Sequence, residues 1–226
     1  MIQFRCFIQK LVIQGTFRTA HGSRKEIESI WVELADKDTQ AYGEAVPVPY
    51  YGQTAQEIKS VLESVKDIIE KSQIGDARIF WEQMQPYLAG SPVAQCALDI
   101  AVYDYLAQKA EKPLYQYLGL KWRDDLPISN YTISLDTPKQ MLEKMQSIDY
   151  PIYKIKLGTK EDLDTLRELR KHSQARFRID ANCAWTLEQT KEYVSELEKM
   201  QIELIEQPFA IERWQDVAEL RTITKI

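Results

Sequence analysis

From about residue 128 onward the chain repeats one pattern four times, a short apolar strand followed by an amphipathic helix, and this repeat limits the fold more than any other feature. The strands fall at about 129–134, 153–157, 177–181 and 204–208, a spacing of roughly 25 residues that suits one βα unit. Helix starts lie between them, at Thr137-Pro138 with Gln140, at Thr159 ahead of Glu161 and Asp162, and at Thr186 with Gln189. Successive units of this kind imply a parallel sheet, either doubly wound or closed into a barrel. A dinucleotide-binding doubly wound sheet wants a glycine-rich turn after its first strand, and Ser134-Leu135-Asp136-Thr137 has none. The barrel is the favoured architecture.

The first half of the chain has another texture. Residues 2–9, 11–15, 27–36 and 41–46 read as strands, the third most clearly, because Ile27, Ile30, Val32 and Leu34 mix β-branched residues with alternation. A small antiparallel sheet is expected. Helices follow at roughly 55–71, 77–88 and 92–109. Thr54 with Glu57 forms a capping-box pattern, and Ser91-Pro92 sets a cap before a proline suited to a first turn. Val93, Ala94, Ala97, Leu98, Ala101, Val102, Tyr105 and Leu106 give the third helix a wide apolar face for burial. Pro113 opens a short helix ending near Gly119.

Composition narrows the partners. A net charge of −5 and a pI near 5.3 argue against nucleic acid or an anionic membrane and leave a small molecule as the default ligand. Cys6, Cys96 and Cys183 are odd in number and scattered, which fits a reducing cytoplasm. The N-terminus MIQFRCFIQKLVIQ lacks the apolar core of a signal peptide, and no apolar run reaches transmembrane length.

Three consecutive units place charge where an apolar strand should end: Lys154 and Lys156 in YKIKLG, Asp180 in FRIDAN and Glu206 in LIEQPF. In a (β/α) barrel that end of the strands is where active sites are built. Side chains alternate along a strand, so Lys154 and Lys156 share one face while Tyr153, Ile155 and Leu157 take the other. Two ammonium groups in one low-dielectric site disfavour each other's protonation, which suits a lysine to act as a base near neutral pH. Two inward carboxylates from neighbouring strands supply hard oxygen ligands of the kind Mg²⁺ prefers. A base beside such a cation points to proton abstraction next to a carboxylate, with the metal stabilising the enediolate. Each charge alone has an ordinary explanation: an exposed strand face, a turn cap, a partner for an arginine. Their recurrence at equivalent positions of successive strands does not.

At these residues the sequence resembles the enolase superfamily, in particular its muconate-lactonizing branch. Lys154-Ile155-Lys156 matches the KxK motif of the second barrel strand. Asp180-Ala181-Asn182 and Glu206-Gln207-Pro208 match the first two metal-ligand strands. ALDIAVYDYLAQKAEKPLYQYLG matches the family's run of ALD, YD and a KPL turn leading into LG. The resemblance implies an α/β fold with an α+β cap: a capping domain over residues 1–122, then residues 123–226 as the first four βα units, the first half of a modified (β/α)7β TIM barrel. It also implies Lys156 as acid/base catalyst, Lys154 as its electrostatic partner, and Asp180 and Glu206 as ligands of Mg²⁺.

Within that branch the sequence is most similar to dipeptide epimerases of the L-Ala-D/L-Glu type, an isomerase class. The first barrel strand, NYTISLDTP, places Thr132 beside the substrate. The capping loop FRTAHGSRKE, expected to be mobile, offers Arg24 for a substrate carboxylate, a task suited to a bidentate guanidinium. The loop GEAVPVPYYGQT offers Tyr50 and Tyr51 as lid residues. His21 is a lesser candidate in the first loop, His172 reads as a helix C-terminal residue, and Trp185 as packing. A muconate-type cycloisomerase or an o-succinylbenzoate synthase is the rival within enzymes, and a noncatalytic half-barrel binding module or an inactive fragment the rival outside them. A closed barrel needs eight strands, so the four seen here predict a fragment of a longer polypeptide, with the third carboxylate ligand and a second lysine lying beyond residue 226. A homo-oligomer is compatible with the resemblance.

Overall fold

The computed structural model describes residues 2–19, 22–49 and 52–226, with residues 14 and 15 described by backbone alone. It divides into two compact units, residues 1–12 with 26–125, and residues 13–25 with 126–226.

The first unit is built on a sheet in the order β1 (Gln3–Thr19), β2 (Gly22–Ala35), β3 (Gln40–Ala45). Strands β2 and β3 run antiparallel from Ile30 opposite Ala45 to Ala35 opposite Gln40. Where two strands, 2–9 and 11–15, were expected, β1 is continuous. Lys10 does not interrupt it, because its exposed ammonium lies 3.8 Å from both Glu26 and Glu28 of β2, a cross-strand pairing that a solvent-facing position favours. The segment read as a mobile loop is also largely extended: β1 runs to Thr19 and β2 begins at Gly22. Residues 13–25 of these strands belong to the second unit.

Helices α1 (Ala55–Ser64), α2 (Lys66–Lys71), α3 (Ala77–Leu88), α4 (Pro92–Lys109) and α5 (Leu114–Tyr117) complete this unit. The Thr54 capping box forms as predicted, with the Glu57 amide donating to Thr54 Oγ1 at 3.3 Å and the Thr54 amide to Glu57 Oε2 at 3.1 Å. The single helix expected over 55–71 breaks at Val65. The Ser64 hydroxyl donates to the Val61 carbonyl at 2.7 Å, taking the acceptor that an unbroken helix gives to the Val65 amide. That amide turns to the Leu62 carbonyl instead. Ser91 precedes α4 as expected but makes no side-chain cap.

Helix α4 is the spine of the unit. Its Ala94, Ala97, Leu98, Ala101 and Val102 are buried together with Ile30, Val32 and Leu34 of the sheet. The helix and β3 approach so closely at Gly43 that a β-carbon there would sit 2.0 Å from the Ala97 carbonyl oxygen and 2.6 Å from the Ala101 nitrogen. One turn on, Tyr105 donates to Asp36 Oδ2 at 2.7 Å, and Lys109 pairs with the same oxygen at 2.7 Å. Burial, and then the Asp36 carboxylate, push the Tyr105 hydroxyl up to about 12.

In the second unit β4 (Tyr131–Ile133), β5 (Ile152–Lys156), β6 (Arg176–Asp180) and β7 (Ile202–Glu206) form a parallel sheet in chain order, interleaved with α6 (Pro138–Gln146), α7 (Asp162–Lys171), α8 (Leu187–Lys199) and α9 (Trp214–Ile223). One sheet face is covered: Ile133, Tyr153, Ile155, Leu157, Phe177 and Ile179 pack with Met141, Met145, Leu166, Leu169 and Leu197 of the helices. Thr137 and Thr186 cap α6 and α8 as predicted. Thr159 does not cap α7. Its hydroxyl is engaged by Asp162, and Glu161 stands at the cap without a side-chain bond. Among the described residues no helix is long and apolar enough to cross a membrane.

Replacing Gly43 with alanine forces β3 away from α4. We expect a loss of about 3 kcal/mol, at the upper end of overpacking costs, read from urea denaturation of the first unit. The Tyr105 contact predicts a pH signature. A hydroxyl raised above its unfolded value of 10.0 stabilises the fold fully below that pH and loses the contribution as pH climbs through about 12. Tyr105→Phe should therefore remove part of the alkaline fall in thermal midpoint between those values.

Candidate active site

The parallel register sets the site. Lys156 of β5 lies opposite Asp180 of β6, and Asp180 opposite Glu206 of β7. Three charged residues thus share one row at the C-terminal ends of three adjacent strands. Two residues lower, Thr132 lies opposite Lys154 and Lys154 opposite Arg178. Because the period is two, both rows face away from the helix-covered side.

The four central side chains meet. Lys156 Nζ donates to Asp180 Oδ2 at 2.6 Å, and Lys154 Nζ lies 3.1 Å from the same oxygen and 2.6 Å from Glu206 Oε2. Asp180 is 1% exposed and Lys156 8%, so neither charge is satisfied by water and each depends on the other. Burial disfavours the charged form of Asp180, but bonds from Lys156, the Asn182 amide and Lys154 outweigh it and hold the carboxyl below its usual range. The same contest runs at Lys154. Burial lowers its pKa, yet the bonds to Glu206 and Asp180 prevail and hold it above the ordinary lysine value. This corrects the expectation that repulsion between the two lysines depresses both: with two carboxylates in contact, attraction prevails at Lys154.

The loops leaving these strands are held in unusual backbone. Asn182, Cys183 and Gln207 adopt φ of 47°, 65° and 44°, left-handed conformations that cost on the order of 1 kcal/mol or more each. A ladder of bonds past the strand ends maintains them: Ala181 N to Glu206 O at 3.1 Å, Cys183 N to Gln207 O at 2.7 Å and Trp185 N to Pro208 O at 2.9 Å. The turn at Gln207 ends β7 at Glu206, two residues short of the strand expected to run to 208.

The donor set suits a small divalent cation. Asp180 and Glu206 already share one positive group, the Lys154 ammonium, and beside them Asn182 Oδ1 is a buried acceptor without a hydrogen-bond partner. Among the described residues no third carboxylate, histidine or cysteine joins them in a metal-binding group.

Arg24 lies on β2, exposed, and forms no ion pair with a described residue. Tyr50, Tyr51 and His21 lie outside the described residues. His172 closes α7 and bonds Glu168 at 3.1 Å. Two residues of the region escaped sequence reasoning. Arg178 is held by Glu203 at 2.7 Å beside a register shift in β7, a pairing that alternation alone does not reveal. Asp162 is 1% exposed and accepts from two loops. Its signal was its place just after Gly158-Thr159, where it read as an ordinary first-turn acid.

Asp180→Ala strands the buried Lys156 ammonium, and a loss of about 3 kcal/mol or more is expected in urea unfolding. Adding Lys156→Met to that variant should recover a large share, since an apolar pair replaces the charges.

Comparison with known proteins places the chain in a family. Residues 1–119 match the family model for the mandelate racemase / muconate lactonizing enzyme N-terminal domain, and residues 137–226 the enolase C-terminal domain-like model. An L-Ala-D/L-amino acid epimerase of Flavobacterium johnsoniae is 39% identical over 210 residues, covering 93% of this chain and 62% of that protein. The dipeptide epimerase of Enterococcus faecalis, solved with Mg and L-Leu-L-Tyr, superposes with a TM-score of 0.90 at 28% identity, over 99% of this chain and 65% of that one. The substrate-liganded L-Ala-D/L-Glu epimerase of Bacillus subtilis gives 0.88 at 26% identity, over 99% and 65%. The chain thus spans a little under two thirds of these relatives. With both domain models matched and the charged row on the strands where the barrel half presents it, the chain belongs to the mandelate racemase / muconate lactonizing enzyme family of the enolase superfamily.

Proposed function

We propose that the protein of which this chain forms part is a Mg²⁺-dependent dipeptide epimerase that inverts the α-carbon next to a carboxylate. The observation that carries it is the row Lys156, Asp180, Glu206 with Lys154 bridging the two carboxylates. The relatives named above, epimerases acting on dipeptides, support the substrate class. Asp180 and Glu206 would hold the cation, with the unpartnered Asn182 Oδ1 a further acceptor. A Mg²⁺ ion held there would supply positive charge against which the substrate carboxylate can accept electron density.

Lys156 is then the residue that moves the proton. Its Nζ stands at the open end of β5, on the face away from the helices, and as a free amine it removes the α-proton from one side of the substrate. Lys154, on the same face, keeps a positive charge nearby that favours the developing negative charge of the substrate. Thr132, opposite Lys154 on β4, borders the substrate. Arg24, Tyr50 and Tyr51 are assigned to substrate binding and closure. The proton donor to the opposite side of the α-carbon is assigned to the portion of the relatives' length that this chain does not span. A reducing cytoplasm fits the three free cysteines.

In the complete protein Lys156→Ala should abolish loss of α-deuterium from one epimer of L-Ala-D/L-Glu, followed by mass spectrometry in H₂O. Wild-type exchange from both epimers in that variant would remove Lys156 from its role. Turnover of muconate or a succinylbenzoate precursor, with none of a dipeptide library, would replace the epimerase assignment by the cycloisomerase one.

A further inference from the structure

We infer that Asp162 is a positioning residue that clasps the loop leaving β5 to the loop leaving β6 and so fixes Lys156 against Asp180. Its carboxylate is buried at 1% exposure and collects donors from both loops. Oδ1 accepts from the Thr159 amide at 2.9 Å, the Thr159 hydroxyl at 3.0 Å and the Gly158 amide at 3.1 Å. Oδ2 accepts from the Gly158 amide at 3.0 Å and from Trp185 Nε1 at 2.7 Å.

The clasp fills a gap in the backbone scaffold. Strand exits β6 and β7 are laddered past their ends by the bonds of Ala181, Cys183 and Trp185. Among the described residues exits β5 and β6 share one such bond, Leu157 N to Asp180 O at 2.9 Å. Among the described residues the Asp162–Trp185 bond is the next hydrogen bond joining them. It joins a residue six beyond Lys156, which also holds Gly158 two beyond Lys156, to a residue five beyond Asp180, and the side chains of Lys156 and Asp180 meet at 2.6 Å. Trp185 is itself fixed, 4% exposed and edge-on to Tyr193 at 5.3 Å. A rigid indole and a carboxylate with no spare acceptor make a stiff link. The bonding also explains why an acid is needed: every polar neighbour is a donor, so an amide in this place sets two donors face to face.

The inference rests on the epimerase reading for its activity readout and is independent of it for the other two. Asp162→Asn keeps the volume and turns an N–H toward Trp185, and Trp185→Phe removes the donor. In the complete protein each should lower kcat on L-Ala-L-Glu by about 10- to 100-fold, the range for groups that orient metal or catalytic residues, with KM within about threefold. The double variant should be no worse than the poorer single, because both cut one link. In ¹⁵N-labelled Asp162→Asn the Trp185 indole proton should exchange with solvent at least about tenfold faster, a readout needing neither metal nor substrate. A folded Asp162→Asn with wild-type kcat, or multiplicative losses in the double variant, overturns the clasp. If Asp162→Asn does not fold, Trp185→Phe decides alone, and wild-type kcat there overturns it. If the wild-type protein turns over no dipeptide, the epimerase reading fails, and calorimetric Mg²⁺ titration judges the clasp. An approximately tenfold weaker affinity in Asp162→Asn supports it, and an unchanged affinity overturns it.

Discussion

The contact between Lys156 and the buried carboxylate of Asp180 is the constraint around which the second unit is arranged. A charge at 1% exposure persists only with a partner, and the partner must arrive from the neighbouring strand at a fixed height. Parallel pairing supplies that height. In register, Lys156, Asp180 and Glu206 fall in one row. A slip by one residue would turn Ile155, Ile179 and Ile205 toward the charges and bury the lysines among Met141, Leu166 and Leu169. The helix-covered apolar face and the charged row therefore enforce each other.

Part of the left-handed backbone lies where the chain leaves these strands. The sheet carries one register shift, beside Arg178, and the left-handed residues Asn182, Cys183 and Gln207 follow the metal-ligand candidates, while left-handed Gln201 lies just ahead of β7. Chain leaving the strands must turn at once, or the carboxylates would lie beneath extended backbone. The ladder from Ala181 to Pro208 holds the turned segments, and Asp162 ties them to the β5 exit. The first unit solves a different problem by another route. There, α4 lies against β3 because Gly43, Ala97 and Ala101 leave room, and polar bonds at Tyr105 and Asp104 close the edges of the contact.

The ion cluster also bears on the proposed roles of the two lysines as base and electrostatic partner. Lys154 is held in its charged form by Glu206 and Asp180. Proximity of like charges is thus insufficient to make an amine basic at neutral pH. What matters is whether the nearby acids are occupied by something else, and a site holding a divalent cation meets that condition. Under the proposed function, a cation at Asp180 and Glu206 would meet the same two carboxylate oxygens that Lys154 contacts.

Much of the fold could be read from residue order, because local signals write it. Alternation in β2, the Thr54, Thr137 and Thr186 caps and the recurring βα unit each depend on neighbours a few residues away. So did the choice of Lys154, Lys156, Asp180 and Glu206, since strand period and strand end are local properties. Errors arose where a distant or competing partner decided. Lys10 continues β1 because Glu26 and Glu28 lie across from it, and the Ser64 hydroxyl broke a helix whose apolar spacing runs on through Val65. The raised pKa of Lys154 and the clasp at Asp162 belong to the same class. Sequence by itself determined which residues carry charge and at which strand ends. Tertiary structure alone decided which charges touch, which acid stays buried and which loops are tied, because those depend on contacts between segments more than 20 residues apart, as Lys156 with Asp180 and Asp162 with Trp185 are, at 24 and 23.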